Sequence, residues 1–141
     1  MNTALGILWA GLASGAFAFV FNVRGRDLPV SAFIGALGWA VYLSVAALGR
    51  VESIAYFSAA IVVVLFAELA SRLLNRPATT WVVCAIIPLT PGSGMYYMMS
   101  ESLAGDMDGA ISVGFATLGT AGAIAAGLAI GSAIARLARR L

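Results

Sequence analysis

Residues Ile86–Met99 read IIPLTPGSGMYYMM: two prolines, two glycines, a threonine and a serine, within a stretch that carries no charge from 77 to 100. A turn in water uses such residues freely. In hydrocarbon, backbone groups freed by a broken helix find no water to bond. Which setting applies decides the fold, and composition answers. The 141 residues are 62% hydrophobic and 10% charged, against about 25% charged in an ordinary soluble domain. Runs 1–23, 28–49, 53–67, 77–100 and 109–135 hold no charged side chain. A helical span needs roughly 20 apolar residues, so these runs predict about five transmembrane segments, the third long enough only if Glu68 is included. The expected fold is all-α: one polytopic membrane bundle over 1–141, its fourth segment broken at mid-bilayer.

The break follows from the hydrogen bonds. A helix over 79–87 extends roughly 14 Å and one over 91–103 roughly 20 Å, so the interruption falls about midway through a layer of ~30 Å. Pro88 cannot donate to the carbonyl of Cys84, nor Pro91 to that of Ile87. Thr90 suits an N-cap and Pro91 the first helical position. The unpaired N–H groups of the second half-helix then belong to Gly92, Ser93 and Gly94. Glycine lets a ligand approach that backbone, and a helix N-terminus attracts anions. The Ser93 hydroxyl and the Tyr96 and Tyr97 phenols add donors. A carboxylate suits Gly92, Ser93 and Gly94; an ammonium or proton donor suits the carbonyls of Cys84 and Ile87. The competing reading is a proline kink satisfied by neighbouring helices.

Other chemistry is thinly represented. There is no histidine, and Cys84 is the sole cysteine, so neither a disulfide nor a metal cluster is expected. No nucleophile–base pair or phosphate loop is evident, so neither enzyme activity nor a cofactor is expected. The formal charge of +2 resides in arginines that flank spans, which argues against nucleic acid as a partner. All basic residues are arginine, a bias of GC-rich bacterial genomes. The uncharged N-terminal stretch lacks the positive region of a cleaved leader.

Orientation follows from the same arginines. An N-out, C-in bundle puts Arg24, Arg26, Arg72, Arg76, Arg136, Arg139 and Arg140 on the cytoplasmic side and only Arg50 outside, as the positive-inside rule requires. A multi-pass protein of the bacterial inner membrane is expected. With an odd number of spans, a related unit joined directly to this one would be inverted, the arrangement of many transporters.

Glu68 is the one acidic residue well inside a span. Intramembrane carboxylates mark proton pathways, which makes it the candidate for proton coupling. An i,i+4 pair with Arg72 explains it equally well. Asp106 and Asp108 read as solvated residues of an outer loop. In the last segment Gly119, Ala123, Gly127 and Gly131 fall at successive i+4 positions, a small-residue stripe that lets helices approach closely. It serves packing within the chain or self-association.

The core PLTPGSGMYY, Pro88–Tyr97, with FAELASRLLNRPATTWVVCA before it and SAFIGALGWAVYL in the second segment, resembles the threonine/serine exporter family. The likeness is to the small integral membrane subunit that corresponds to the C-terminal half of the fused exporters, and it covers nearly the whole chain. Thr90 stands where an aliphatic residue is usual. The resemblance implies proton-driven export of small carboxylic substrates, threonine and serine or dicarboxylates such as succinate. It also implies a larger membrane subunit as partner. The reading is thus half of a secondary exporter working by alternating access around the broken helix. Two rivals are a self-sufficient dimeric cation exporter using Glu68, and a scaffold subunit that transports nothing.

Overall fold

The computed structural model describes residues 3–138. Among them the chain is all-helical: α1 (Thr3–Val20), α2 (Asp27–Ala47), α3 (Glu52–Leu74), α4 (Thr79–Ile86), one 3₁₀ turn (Ile87–Leu89), α5 (Gly92–Ala104) and α6 (Met107–Leu137). Four helices are long and apolar enough to cross a membrane, and α4 with α5, bent by 44° at the break, fits a fifth, broken span. This is a multi-pass membrane protein, and the expected interruption of its fourth segment is present.

The connections are short, and local chemistry explains where each helix stops. α1 ends where Asn22 turns left-handed, at φ 60°, and the Val23 N–H closes on the Ala18 carbonyl at 2.9 Å, a C-terminal cap of the Schellman kind. Asp27 opens α2, where a negative charge suits the helix dipole. Pro29 follows within the first turn, where its missing N–H had no helical partner anyway. Asn75, again left-handed at φ 52°, closes α3.

Apolar side chains cannot drive helices together in lipid, so close approach depends on small residues. Gly11 and Gly15 of α1 lie against Ala32 and Ala36 of α2, and Gly35 of α2 lies against Ser14. At Gly38 an added Cβ would sit 2.6 Å from Val63 and 3.4 Å from Leu89, so α2, α3 and the 3₁₀ turn converge there. Around that point Ile34, Ala59, Val63, Ala67, Trp81, Ala85 and Leu89 form the buried core. Trp81 is wholly buried, and its indole Nε1 has no partner among the described residues.

α6 is 31 residues long, roughly 46 Å at 1.5 Å per residue, and its two halves have different neighbours. The C-terminal half packs on α3: a Cβ at Gly127 would lie 2.6 Å from the Phe57 carbonyl, and one at Gly131 3.2 Å from Val64. The N-terminal half packs on α5 through Gly114 and Met98. The stripe read as one surface is therefore divided. Gly127 and Gly131 are consumed within the chain, Ala123 is half-buried, and Gly119 faces open space. The reason is a helix rotation of 100° per residue, which carries an i+4 row slowly around a long helix.

In the outer loop the helix end agrees with the expected Leu103 to within one residue, and only the role of Asp106 is new. α5 continues to Ala104, so only Gly105 and Asp106 join it to α6. Asp106 is the N-cap of α6, its Oδ1 accepting from the Gly109 N–H at 2.9 Å. It has a structural role beyond solvation.

The arginines gather at one end. Arg76 lies 3.9 Å from Asp27, and Arg72 donates to the Ala135 carbonyl at 3.0 Å. These contacts tie the end of α3 to the start of α2 and the end of α6. Arg24, Arg26, Arg72, Arg76 and Arg136 therefore share a face, with Arg50 at the opposite end of α2 and α3.

A candidate site at the interrupted fourth span

Between Ile86 and Met95 the backbone rearranges its bonds around two prolines. The Thr90 N–H donates to the Ile87 carbonyl at 3.0 Å, and the Thr90 hydroxyl reaches back to the Ile86 carbonyl at 3.3 Å. Thr90 then becomes extended, at φ −66° and ψ 130°. Its carbonyl takes the Gly92 N–H at 2.7 Å, and the Met95 N–H reaches Pro91 at 3.3 Å.

Three details depart from the sequence reading. Pro91, not Thr90, occupies the N-cap of α5, and no side chain caps it. The Thr90 hydroxyl serves the outgoing half-helix instead, because the extended Thr90 backbone turns its side chain back toward Ile86. The Ile87 carbonyl is occupied, since the 3₁₀ turn supplies a donor where the α-helical ladder lost one. The Gly92 N–H is likewise engaged. Ser93 and Gly94 remain the first-turn donors for which helix geometry provides no internal acceptor, and Pro88 leaves Cys84 without its i+4 donor.

The expected site residues fall into two groups. Gly92, Ser93, Tyr96 and Tyr97 lie on one exposed side of α5, with the two phenol rings edge to face at 5.6 Å. Their spacing of one and four residues puts them together on a helix. Cys84 is buried on α4, and Ile87 is half-buried at its end. The break separates the exposed group from the buried one.

α5 buries none of its residues and touches only α6, away from the α1–α4 body. Gly94 lies against Thr117, close enough that a Cβ would collide with Oγ1. Beside this contact runs an apolar groove of about 670 Å³ between α5 and α6, lined by Met95, Met98, Met99, Phe115 and Leu118 among others. Methionines make such a surface adaptable.

Glu68 lies elsewhere. It is half-buried and has a polar or electrostatic partner of its own. It follows Val64 by one turn and precedes Arg72 by one turn, and both of those residues meet α6. Residues four apart share a helix face, so Glu68 belongs to the α3–α6 seam. The break packs on the other side of α3, where Leu89 meets Val63. The structure does not bring Glu68 to the break.

Two polar residues near the break escaped the sequence reading. Thr117 and Thr120 of α6 bond their hydroxyls back to the Val113 and Ala116 carbonyls, at 2.7 and 3.1 Å. Each hydroxyl oxygen still has acceptor capacity. The available signal was a pair of hydroxyls three residues apart, the only polar side chains in the stretch 113–131. Among the described residues, no group of three or more His, Cys, Asp or Glu side chains is placed to hold a metal ion.

No match was found among curated proteins or solved structures. A family model described as "Threonine/Serine exporter, ThrE" matches residues 6–134. That span includes the interrupted helix and the glycine packing contacts described above. The chain belongs to the threonine/serine exporter family.

Proposed function

We propose that this protein is one half of a secondary exporter for small carboxylic substrates, threonine and serine or a dicarboxylate such as succinate, in a bacterial inner membrane. The observation that supports this most is the start of α5: its first-turn donors lie at the middle of a span, on a surface that no other part of the described chain covers except Thr117. Non-helical backbone at membrane depth persists only where protein buries it or a water-filled cavity meets it. A substrate carboxylate bound to the Ser93 and Gly94 N–H groups satisfies them, with Tyr96 and Tyr97 available to its other polar groups. The uncovered side of α5 calls for a second chain to complete the cavity, which in this reading is the larger subunit of the exporter. Alternating access then moves one half against the other around the break. Proton coupling is assigned to Glu68, acting through the α3–α6 seam.

The test is counterflow of labelled threonine, serine and succinate in proteoliposomes, with this chain alone and together with the larger subunit. Uptake of at least one substrate only when both chains are present supports the proposal. Cation exchange by this chain alone favours the dimeric cation exporter, and no transport by a well-assembled complex favours the scaffold.

A further inference from the structure

The ends of α1, α2 and α4 on the arginine-rich face enclose a polar cleft of about 390 Å³. Arg24 and Arg76 line it, and Thr80 adds a hydroxyl. Neither guanidinium is fully engaged. Arg24 donates from Nε to Asn22 Oδ1 at 2.8 Å, and Arg76 sits 3.9 Å from Asp27 with 65% of its side chain exposed. A guanidinium has five N–H donors, so both retain several. Two arginines against Asp27 leave the cleft net positive.

A second cavity of about 290 Å³ adjoins it and shares Phe21, Val23 and Thr80 with it. From there it runs along α4 past Val83 to Cys84. Phe21 and Val83 are about half exposed, at 53% and 48%, so this groove opens sideways toward the membrane. A cationic cleft that passes directly into an apolar groove has the polarity profile of a phospholipid.

We propose that the two cavities form one binding site for an anionic phospholipid of the cytoplasmic leaflet. Arg24 and Arg76 hold the phosphate, a pairing in which arginine forms strong charge-assisted hydrogen bonds. Thr80 lies at the junction, level with the glycerol esters, and one acyl chain follows Val83. A soluble carboxylate would fill only the first cavity and gain nothing from the second. Basic pockets between membrane helices on this side bind anionic head groups. A lipid seated here braces α1 against the half-helix that leads into the break.

The test is native mass spectrometry of the protein released from nanodiscs of equimolar phosphatidylglycerol and phosphatidylcholine. Phosphatidylglycerol is expected to be retained preferentially, by about fivefold for each arginine engaged. Arg24→Gln, which leaves the Arg76–Asp27 pair intact, reduces that preference, and Arg24→Gln with Arg76→Gln abolishes it. Arg50→Gln, at the other end of the bundle, leaves it unchanged. Val83→Trp, which obstructs the groove, lowers retention with both arginines in place. Equal retention of the two lipids by the unmodified protein overturns the proposal, as does an unchanged preference in the double variant. Displacement of the lipid by millimolar glycerol 3-phosphate reassigns the cleft to soluble anions and also overturns it.

Discussion

Gly94 of α5 and Thr117 of α6 meet with no room between them for a β-carbon. The contact fixes the start of the second half-helix against the one helix it touches. Gly94→Ala drives a methyl into Thr117 Oγ1, and overpacking of this kind costs about 1–3 kcal/mol. Thr117→Ala removes the obstructing oxygen. Combined, the two changes are expected to recover much of the loss. Thermal unfolding of the four proteins in detergent, treated as a double-mutant cycle, measures the coupling. Additive losses would show that the two residues do not meet.

The transport proposal places the substrate carboxylate on main-chain donors, and one of them can be removed without crowding the site. Proline is tolerated in the first turn of a helix because its missing N–H had no internal partner. Ser93→Pro is therefore expected to fold normally and to lose export by about tenfold or more, the worth of one charge-assisted bond at ~1.5–3 kcal/mol. Ser93→Ala, which keeps the N–H, is expected to lose less. Initial export rates at matched expression distinguish them, and full activity in Ser93→Pro would remove the donor role.

The division of the α6 stripe predicts opposite responses from two glycines. Gly127→Leu pushes against the Phe57 carbonyl, a backbone atom that cannot yield, so the α3–α6 contact opens and the purified protein loses thermal stability. Gly119→Leu enters open space, and the isolated chain should unfold within about 0.5 kcal/mol of the original, as surface changes do. Similar melting temperatures for the two variants would contradict the packing.

Glu68 lies on the α3–α6 seam, away from the break, so a role in proton coupling separates from substrate binding. Glu68→Gln is expected to preserve counterflow, which needs no driving ion, while abolishing export driven by an imposed proton gradient. Loss of both activities in an intact complex would point to a structural role for the carboxylate.

Asp106 caps α6 through the Gly109 N–H. Asp106→Ala should destabilise the protein by about 1 kcal/mol, with Asp106→Asn close to the original. Thermal unfolding in detergent reports both, and a melting temperature unchanged in Asp106→Ala would dismiss the cap.

Much of the molecule was legible in the chain because the bilayer imposes few solutions. Charge-free runs and the arginines between them read directly as spans and loops, and prolines beside GSG mark an interruption, whether ligand site or plain kink. The family resemblance of Pro88–Tyr97 lay in the same stretch. What was not legible depended on partners remote in sequence or on bond exchange at the break. Thr90 had the chemistry of an N-cap, yet its extended backbone sends the hydroxyl to Ile86. Asp106 was read as solvated from the cost of burying a charge, and its capping of Gly109 depends on the turn that joins α5 to α6. Thr117 gained significance only from lying against Gly94.

By itself the sequence determined the all-helical membrane character of the chain and the place of the break, since hydropathy, proline and glycine act locally. Only the tertiary structure decided that Gly127 and Gly131 face α3, that Glu68 lies on a seam away from the break, and that α5 leans on α6 alone. Small-residue stripes and intramembrane carboxylates are compatible with several neighbours. Helix rotation and packing choose among them, and no local rule encodes that choice.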